Sequence, residues 1–216
     1  FIMDGNGRWA KKNKLKKKEG HKAGIKACIK LIKSFNKLDV HIREISFYVF
    51  SSENWKRSLS EIRNLFDLIE EYYKEFEKTA QDYNLKIRHY GSRKKLNRRI
   101  LNIIDDVTKK TENNSSNCIN LVFNYGSRDE IISSIKKLSQ KNINKVNLSK
   151  NLYTSESDDP DLIIRTGGEF RLSNFMLWQS AYSELYFTKK LWPDFNITDL
   201  KKIMINYKKR KRNFGK

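Results

Sequence analysis

The chain opens with the stretch FIMDGNGRWA, Phe1 to Ala10, in which an apolar run is followed by small, polar and charged residues. Two later segments of the chain show the same kind of pattern. In the opening stretch, a short apolar run ends at an acid, two glycines flank an asparagine, and an arginine and a tryptophan follow. Glycines let backbone N–H groups approach an anion closely, and a helix that starts there adds its positive end. Asp4 fits such an anion site if a divalent metal lies between its carboxylate and the phosphates. A tight turn with a capping aspartate is the alternative.

The composition describes an ordered domain with a strong positive charge. Of 216 residues, 38% are hydrophobic and 12% aromatic, which is enough for a packed core and too much for a disordered chain. The net charge of +20 favours polyanionic partners: nucleic acid, an anionic membrane surface or phosphorylated substrates. No apolar run approaches the ~20 residues of a membrane span. We therefore expect one domain over residues 1–216.

Cysteine and histidine spacing suggests neither a disulfide framework nor a metal site. Cys28 and Cys118 are predicted to be reduced, buried thiols of an intracellular protein. The three histidines are far apart. The chain starts without an initiator Met and inside a predicted strand, so we expect its N-terminus to be incomplete, with no targeting segment visible.

Strand and helix patterns alternate about six times along the chain. The predicted strands are Ile42–Phe50, Leu85–Tyr90, Cys118–Tyr125, Asp161–Arg165 and Glu184–Phe187. The predicted helices are His21–Leu38, Ser60–Tyr83 with Ser60 as N-cap, Lys94–Lys110, Asp129–Leu138 and Ile197–Asn213. The polar segment Ser139–Ser157 is predicted to contain a mobile connection. This alternation predicts an α/β fold with a mostly parallel central sheet flanked by helices.

The opening strand and two of the strands above are each followed by a polar cluster, respectively Asp4–Arg8, Ser51–Arg57 and Arg165–Ser173. In a parallel sheet all three would lie along one edge, which is where such sheets bind ligands. Their four arginines suit bidentate phosphate recognition and suggest two diphosphates. Neither a Walker pattern nor a set of residues for nucleophilic catalysis is present. The pattern favours electrophilic transfer with diphosphate as the leaving group.

These clusters resemble the signatures of the cis-prenyltransferases, the undecaprenyl diphosphate synthase and dehydrodolichyl diphosphate synthase family. Residues 3–10, 50–57 and 161–188 resemble its first, central and C-terminal motifs, and the resemblance covers essentially the whole chain. It implies an enzyme that repeatedly condenses isopentenyl diphosphate onto an allylic diphosphate, farnesyl or geranylgeranyl diphosphate. The product would be a long-chain polyprenyl diphosphate for dolichol or other polyprenol glycosyl carrier lipids.

The resemblance also implies roles for individual residues. Asp4 would hold Mg²⁺ on the allylic diphosphate, and Glu184 would contribute to metal binding. His21 would lie near the leaving group, while Ser51 and Asn54 would place the isopentenyl group and assist proton removal. The allylic diphosphate would be cradled by Gly5, Asn6, Gly7, Arg8 and Arg57, and the isopentenyl diphosphate by Arg165, Arg171 and Ser173. Further predicted substrate-binding residues are Trp9, Lys17, Phe50, Ser52, Glu53, Trp55, Glu169 and Leu172.

In this family the product grows in a hydrophobic tunnel, for which the aromatic helix Ser60–Tyr83 is a candidate wall. The resemblance implies a homodimer, with a different partner subunit as the alternative, and a location in the cytoplasm or on the endoplasmic reticulum membrane with peripheral membrane contact. Two positions depart from the pattern. Lys17 stands where bacterial members often have arginine, and Asn213 stands at the arginine of an Arg-x-Gly that crosses the dimer.

Two other functions are weighed against the enzyme. A non-catalytic partner subunit would be expected to lose the acid and arginines of the first two motifs, which this chain keeps. A nucleic-acid-binding protein is suggested only by the net charge of +20. It would interleave basic residues with exposed aromatic ones, whereas the arginines here follow strands. We therefore expect no nucleic-acid partner.

Overall fold

The computed structural model of the chain describes residues 1–212, in which strands and helices alternate. The strands are β1 Glu44–Ser51, β2 Leu85–Tyr90, β3 Asn117–Tyr125, β4 Leu162–Arg165 and β5 Glu184–Phe187. The helices are α1 Asn6–Lys12, α2 Lys17–Ile32, α3 Leu59–Asp82, α4 Arg98–Lys110, α5 Ser127–Ile135, α6 Lys145–Asn151 and α7 Ile197–Lys208. Among the described residues, no helix is both long enough and apolar enough to span a membrane.

The predicted parallel sheet is confirmed. β1 and β2 both pair with β3 in parallel, and β4 pairs with β5 in parallel. The opening segment joins the two groups, because Ile2 bridges to Tyr48 on one side and to Arg165 on the other. Ile2 is thus a single bridging residue, where the sequence predicted a strand. The carboxyl ends of the strands face one edge of the sheet, and the three polar clusters lie there.

Each face of the sheet packs against its own apolar core. In β3, the alternating residues Ile119 and Phe123 face cores that contain α2, α3 and α4, whereas Val122 faces a core with Phe175 and Met176. This alternation is the two-residue period of a strand that is buried on both faces. Helices on one face and the segment after β4 on the other exclude water from the sheet.

Helix α3 is the longest element, and its N-cap lies two residues before the predicted one. Ser58, rather than Ser60, accepts the hydrogen bond from the backbone N–H of Glu61. Its 24 residues span roughly 36 Å at the usual rise of ~1.5 Å per residue. The predicted mobile connection at residues 139–157 contains α6, which Asn144 caps by accepting from the N–H of Asn147. Ser and Asn are both favoured N-cap residues. Ser58 and Ser60 were therefore both candidates for the cap of α3, and Asn144 allows a helix to start within the polar segment.

Candidate active site

A cavity of about 950 Å³ opens at the carboxyl edge of the sheet and runs beneath it. It brings residues of all three predicted clusters to one wall. The predicted site residues that line it are Asp4, Gly5, Asn6, Gly7, Arg8, Lys17, His21, Ser51, Asn54, Arg57, Arg165 and Ser173. Residues 4 and 165 are therefore neighbours although 161 positions separate them.

Asp4 lies between two arginines at the mouth of the cavity. Its Oδ1 is 3.1 Å from Arg8 Nη2, and its Oδ2 is 2.9 Å from Arg165 Nη2. Burial raises the pKa of the Asp4 carboxyl, but the hydrogen bond from Arg165 and the charge of Arg8 outweigh it and lower the pKa below its ordinary value. Asp4 is thus ionised at neutral pH and connects the first cluster to the third.

The backbone after Asp4 presents N–H groups at the same mouth. Gly5 has a φ of +111°, and a side chain there would collide with Leu191. The first helical hydrogen bond runs from Trp9 N–H to Gly5 O, so the amides of residues 6–8 precede the helical ladder. These amides and Arg8 form an arrangement suited to an anion.

The loop after β4 carries the second group of cations. Arg165 has only 5% of its side chain exposed, and its Nη1 donates to Ser173 Oγ at 2.7 Å and to the carbonyl of Arg171. Gly167, with a φ of +86°, lets this loop meet Arg8, which donates to the Gly167 carbonyl. A Cβ at Gly167 would lie 2.7 Å from Arg8 Nη2, so a larger residue would displace the guanidinium.

Thr166 is a site residue that the sequence analysis missed. Its hydroxyl accepts from the Asp4 backbone N–H at 3.0 Å and donates to the Asp4 carbonyl at 2.8 Å. Thr166 therefore fixes the backbone on which the Asp4 carboxylate stands. Its position between Arg165 and Gly167 could have identified Thr166 as a site residue. A threonine in a loop, however, has no distinctive sequence pattern.

The central cluster is folded as a capped turn. Ser51 and Asn54 form a reciprocal capping box, in which each side chain accepts from the other residue's backbone N–H. Glu53 accepts from Asn174 Nδ2 at 2.7 Å, which ties this turn to the loop after β4. Ser52 donates to Asp129 at 2.7 Å. Ser51 and Asn54 consequently lie on the cavity wall, while Ser52 and Glu53 support the turn from behind.

A second acid, Glu61, holds two predicted site residues together. It accepts from Lys17 at 2.8 Å and from Arg57 at 2.9 Å. Burial raises the pKa of Glu61, but Lys17 and Arg57 outweigh it and lower the pKa. Burial and then Arg57 lower the pKa of His21, so its imidazole is neutral at pH 7. Glu61 was not predicted as a site residue, because a glutamate on a helix surface carries no specific sequence signal.

Glu130 is a buried acid that connects the end of β3 to the loops around Tyr153 and Gln179. It is 1% exposed and accepts from Tyr125 Oη at 2.5 Å, Gln179 Nε2 at 3.0 Å and the Tyr153 N–H at 2.8 Å. Burial raises the pKa of its carboxyl despite these donors. Glu130 joins β3 to the segment after Asn174, and no pattern in the sequence marks it.

Several predicted substrate contacts lie off the cavity wall. The Trp9 indole N–H donates to Asp194 at 2.7 Å, and Phe50 and Trp55 pack against Phe66. Leu172 packs on the core beside Phe175, while Glu169 accepts from Arg171 at 2.6 Å and lies 3.5 Å from Arg8. The aromatic residues are held by core packing and by polar partners that spacing does not reveal.

Glu184 lies at the other end of the sheet. It begins β5 opposite Leu162, whereas Arg165, at the cavity, is opposite Phe187. Its carboxylate accepts from Arg210 at 2.6 Å. Within one chain Glu184 therefore does not join Asp4, and its metal role stays a prediction. The predicted departure at Asn213 lies outside the described residues, while Arg212 donates to Asp161 and to Tyr207.

The interior of the cavity is apolar. Helix α3 supplies one wall, as predicted, and α2, α4 and the strands contribute to the others. The apolar and aromatic lining includes Leu65, Ile69, Tyr72, Tyr73, Phe76, Ile103, Ile104, Leu121 and Phe123. A polar, cationic mouth above an apolar interior fits an amphiphilic ligand with an anionic head and a hydrocarbon tail.

The carboxylate at the cavity mouth suits a metal ion that is held mainly by the oxygens of a bound substrate. Over residues 1–212, no group of three or more His, Cys, Asp or Glu side chains could hold a metal ion. Mg²⁺, however, is commonly held by one or two carboxylates plus substrate phosphates. Asp4, with 31% of its side chain exposed at the mouth, provides one such carboxylate.

Known proteins match this chain in sequence and in structure. The undecaprenyl diphosphate synthase family model (Prenyltransf) matches residues 2–215. Isoprenyl transferase of Treponema denticola is 44% identical over 100% of this chain and 95% of that protein, and isoprenyl transferase of Leptospira interrogans is 43% identical over 99% and 92%.

Two solved structures extend the likeness to the fold. Lavandulyl diphosphate synthase from Lavandula x intermedia, in complex with dimethylallyl diphosphate, has a TM-score of 0.93 and 28% identity over 100% of this chain and 96% of that one. A probable undecaprenyl diphosphate synthase from Campylobacter jejuni has a TM-score of 0.82 and 35% identity, covering 90% and 92% of the two chains. The chain therefore belongs to the undecaprenyl diphosphate synthase family and is a cis-prenyltransferase.

Proposed function

We propose that the protein extends an allylic prenyl diphosphate by repeated condensation with isopentenyl diphosphate, in the presence of Mg²⁺. The observation that carries the proposal is the position of Asp4. Its carboxylate lies between Arg8 and Arg165, at the mouth of an apolar cavity. Two cationic cradles beside one carboxylate are suited to two diphosphates, and the cavity is suited to a growing hydrocarbon chain.

In this proposal the allylic diphosphate is the leaving group of the reaction. The amides of residues 5–7, with Arg8 and Arg57, bind it, and the neutral His21 lies close by. Its departure breaks the bond between C1 and oxygen, and the terminal alkene carbon of isopentenyl diphosphate forms the new bond to C1. Asp4 would hold Mg²⁺, and the chemistry that the metal would supply there is neutralisation of the negative charge on the departing diphosphate.

The second diphosphate belongs to the attacking substrate. Arg165, Arg171 and Ser173 bind it, so that the alkene faces the allylic carbon. Ser51 and Asn54 place the isopentenyl group, and loss of a proton from C2 restores a double bond. The fixed capping-box geometry of Ser51 and Asn54 supports this positioning role, because two reciprocal hydrogen bonds hold both side chains before substrate binds.

The product proposed is a polyprenyl diphosphate of the undecaprenyl type. The two sequence relatives, from Treponema denticola and Leptospira interrogans, are bacterial isoprenyl transferases, and this favours a bacterial polyprenol carrier lipid over dolichol. Nothing in the comparisons supports the predicted endoplasmic reticulum location. We also propose a homodimer, which sedimentation velocity of the purified protein would test. Exposed Ile132 and Ile135 on α5 are candidates for its apolar contact.

The proposal is tested by incubating the protein with Mg²⁺, labelled isopentenyl diphosphate and a series of allylic primers, and chromatographing the products. We expect polyprenyl diphosphates with the wild type and no turnover with Asp4→Ala or without Mg²⁺. Asp67→Ala removes an exposed carboxylate from α3 and is the matched control, which should retain activity. Full activity of Asp4→Ala would contradict the proposal.

A further inference from the structure

The connection between α1 and α2 is a dense and exposed group of positive charges. Six of the eight residues from Lys11 to Lys18 are lysines, and all eight are exposed. In the described part of the chain, Lys17 forms a salt bridge with Glu61, and no other lysine of this segment forms a salt bridge. Five ammonium groups therefore remain available to an external anionic partner. We call residues 11–18 the basic corner.

Backbone hydrogen bonds give the basic corner a definite shape. The Leu15 N–H donates to Ala10 O at 2.8 Å, and Asn13 N–H donates to Trp9 O and Ala10 O. Lys14 adopts a φ of +57°, the left-handed conformation that commonly terminates a helix. Helix α2 then begins at Lys17. The chain thus turns sharply between two helices and projects its lysines outward from a fixed turn.

Two leucines are exposed beside these lysines. Leu15 is 47% exposed, and Leu59, the first residue of α3, is 72% exposed. The contact between Lys17 and Glu61 brings the starts of α2 and α3 together, so the two leucines belong to one side of the molecule. Cations interspersed with exposed leucines are typical of surfaces that lie on anionic bilayers.

The same surface borders the cavity. Lys11, Leu15 and Lys17 line the cavity mouth, and the interior behind them is apolar. If the product is a polyprenyl diphosphate, it must pass from this cavity to a bilayer. A mouth that faces the lipid surface would spare its hydrocarbon tail from water.

We propose that the basic corner, together with Leu59, docks the protein on an anionic lipid bilayer with the cavity mouth toward the membrane. The orientation rests on the proposed function, while docking does not. A nucleic-acid partner is less favoured, because single-stranded binding sites stack bases on aromatic side chains. The nearest aromatic residue in sequence, Trp9, instead donates its indole N–H to Asp194.

The test is flotation of the full chain with two kinds of vesicle. One is made of phosphatidylcholine alone, and the other also contains about 30% phosphatidylglycerol, so that electrostatic attraction dominates. The test variant combines Lys12→Gln, Lys14→Asn, Lys16→Gln and Lys18→Gln, none of which lies in the proposed catalytic machinery. The control combines Lys136→Gln, Lys141→Gln, Lys145→Gln and Lys150→Gln, exposed lysines near exposed Ile135 and Val146. Each set removes four charges of the +20.

We expect wild type and control to float with anionic vesicles, and the test variant to bind on the order of a thousandfold more weakly, from roughly 1 kcal/mol for each of the lysines removed. Binding of the wild type should fall with added salt, and neutral vesicles should bind little. Leu15→Gln should weaken binding at high salt, where the apolar contribution remains.

Three results would overturn the proposal. The first is equal vesicle binding by the test variant and the wild type, and the second is loss of vesicle binding by the control variant alone. The third is that the basic corner is needed to bind a single-stranded RNA oligonucleotide but is not needed to bind vesicles. Turnover of a short primer in detergent, measured without vesicles, is a separate readout. It should be unchanged in the test variant, so failure of docking is distinguishable from failure of the proposed enzyme activity.

Discussion

The role of Asp4 in the site depends on partners that are distant in the sequence. In the sequence it is an acid in a phosphate-binding turn, where a negative charge is unexpected. In the structure it forms ion pairs with both Arg8 and the buried Arg165. In the proposed mechanism the two arginines bind different diphosphates, and the Asp4 carboxylate would hold the two halves of the site in register before substrate binds.

Arg165→Ala tests the assignment of the second diphosphate. The guanidinium contacts Asp4, Ser173 and the Arg171 carbonyl and is almost fully buried. We expect the KM for isopentenyl diphosphate to rise by roughly 100-fold, with a smaller change in the KM for the allylic primer. Arg165→Lys keeps the charge without the fork and should recover part of the loss. Steady-state kinetics with each substrate varied in turn measures this, and an effect restricted to the primer would reverse the assignment.

Glu130→Gln tests the buried acid beneath the site. Its carboxylate receives three donors, so a glutamine amide would direct its own N–H groups at a donor and leave a buried group unpaired. We expect the free energy of unfolding to fall by about 2 kcal/mol. Urea denaturation measures it. Glu112→Gln, at an exposed position, is the control, and equal stability of the two variants would show that the network contributes little.

At the scale of elements, α3 and α4 together close the far part of the cavity. Tyr73 and Ile103 line the main cavity and also an outer pocket of about 540 Å³. The Tyr73 hydroxyl donates to Asp106, whose carboxylate lies 2.7 Å from Lys110 Nζ. Tyr73 and Ile103 thus lie between the two spaces, and the Asp106–Lys110 salt bridge fixes the acid that accepts from Tyr73.

Tyr73→Ala should connect the cavity to the outer pocket and lengthen the product. Removal of the ring opens space between α3 and α4, so the growing chain meets its barrier later. We expect a shift of the product distribution by one or more isoprene units under the same primer and substrate concentrations, read by chromatography. Tyr73→Phe keeps the ring and should leave product length unchanged. Identical products from the alanine variant would show that the barrier lies elsewhere.

Across the whole molecule, lowered carboxylate pKa values link stability to pH. The pKa values of Asp4, Glu44 and Glu61 are lowered because arginine, lysine and hydroxyl or amide donors outweigh the effect of burial. A lowered folded-state pKa stabilises the fold above the unfolded value, near 3.8 for aspartate and 4.5 for glutamate, and this contribution is lost as pH falls through the folded value. The raised pKa of Glu130 acts in the opposite sense above pH 4.5.

We therefore expect the free energy of unfolding to decline as pH falls from about 5 to 3. The positive net charge adds to this decline, because protonation of the carboxylates increases repulsion among the lysines and arginines. Urea titrations at fixed ionic strength measure the trend. Stability that is constant or rises toward pH 3 would show that these ion pairs persist in the unfolded chain.

Much of this protein could be predicted from sequence because its signals are local. Periods of two and of three to four residues located β2 and β5 at their observed bounds and the other strands within about two residues of theirs. Alternation of strands and helices then predicted a parallel sheet, and a parallel sheet places the three clusters along one edge. These inferences depend only on neighbours in the chain and on general rules of packing.

The tertiary structure alone decided which side chains act together. Asp4 meets Arg165 and Thr166, Glu61 joins Lys17 to Arg57, and Glu184 faces away from the site toward Arg210. No spacing in the sequence reveals these pairs, because their partners lie on other elements and the deciding quantity is an approach of a few ångströms. The sequence determined the edge of the sheet where the chemistry lies, whereas packing between distant elements decided which groups reach it.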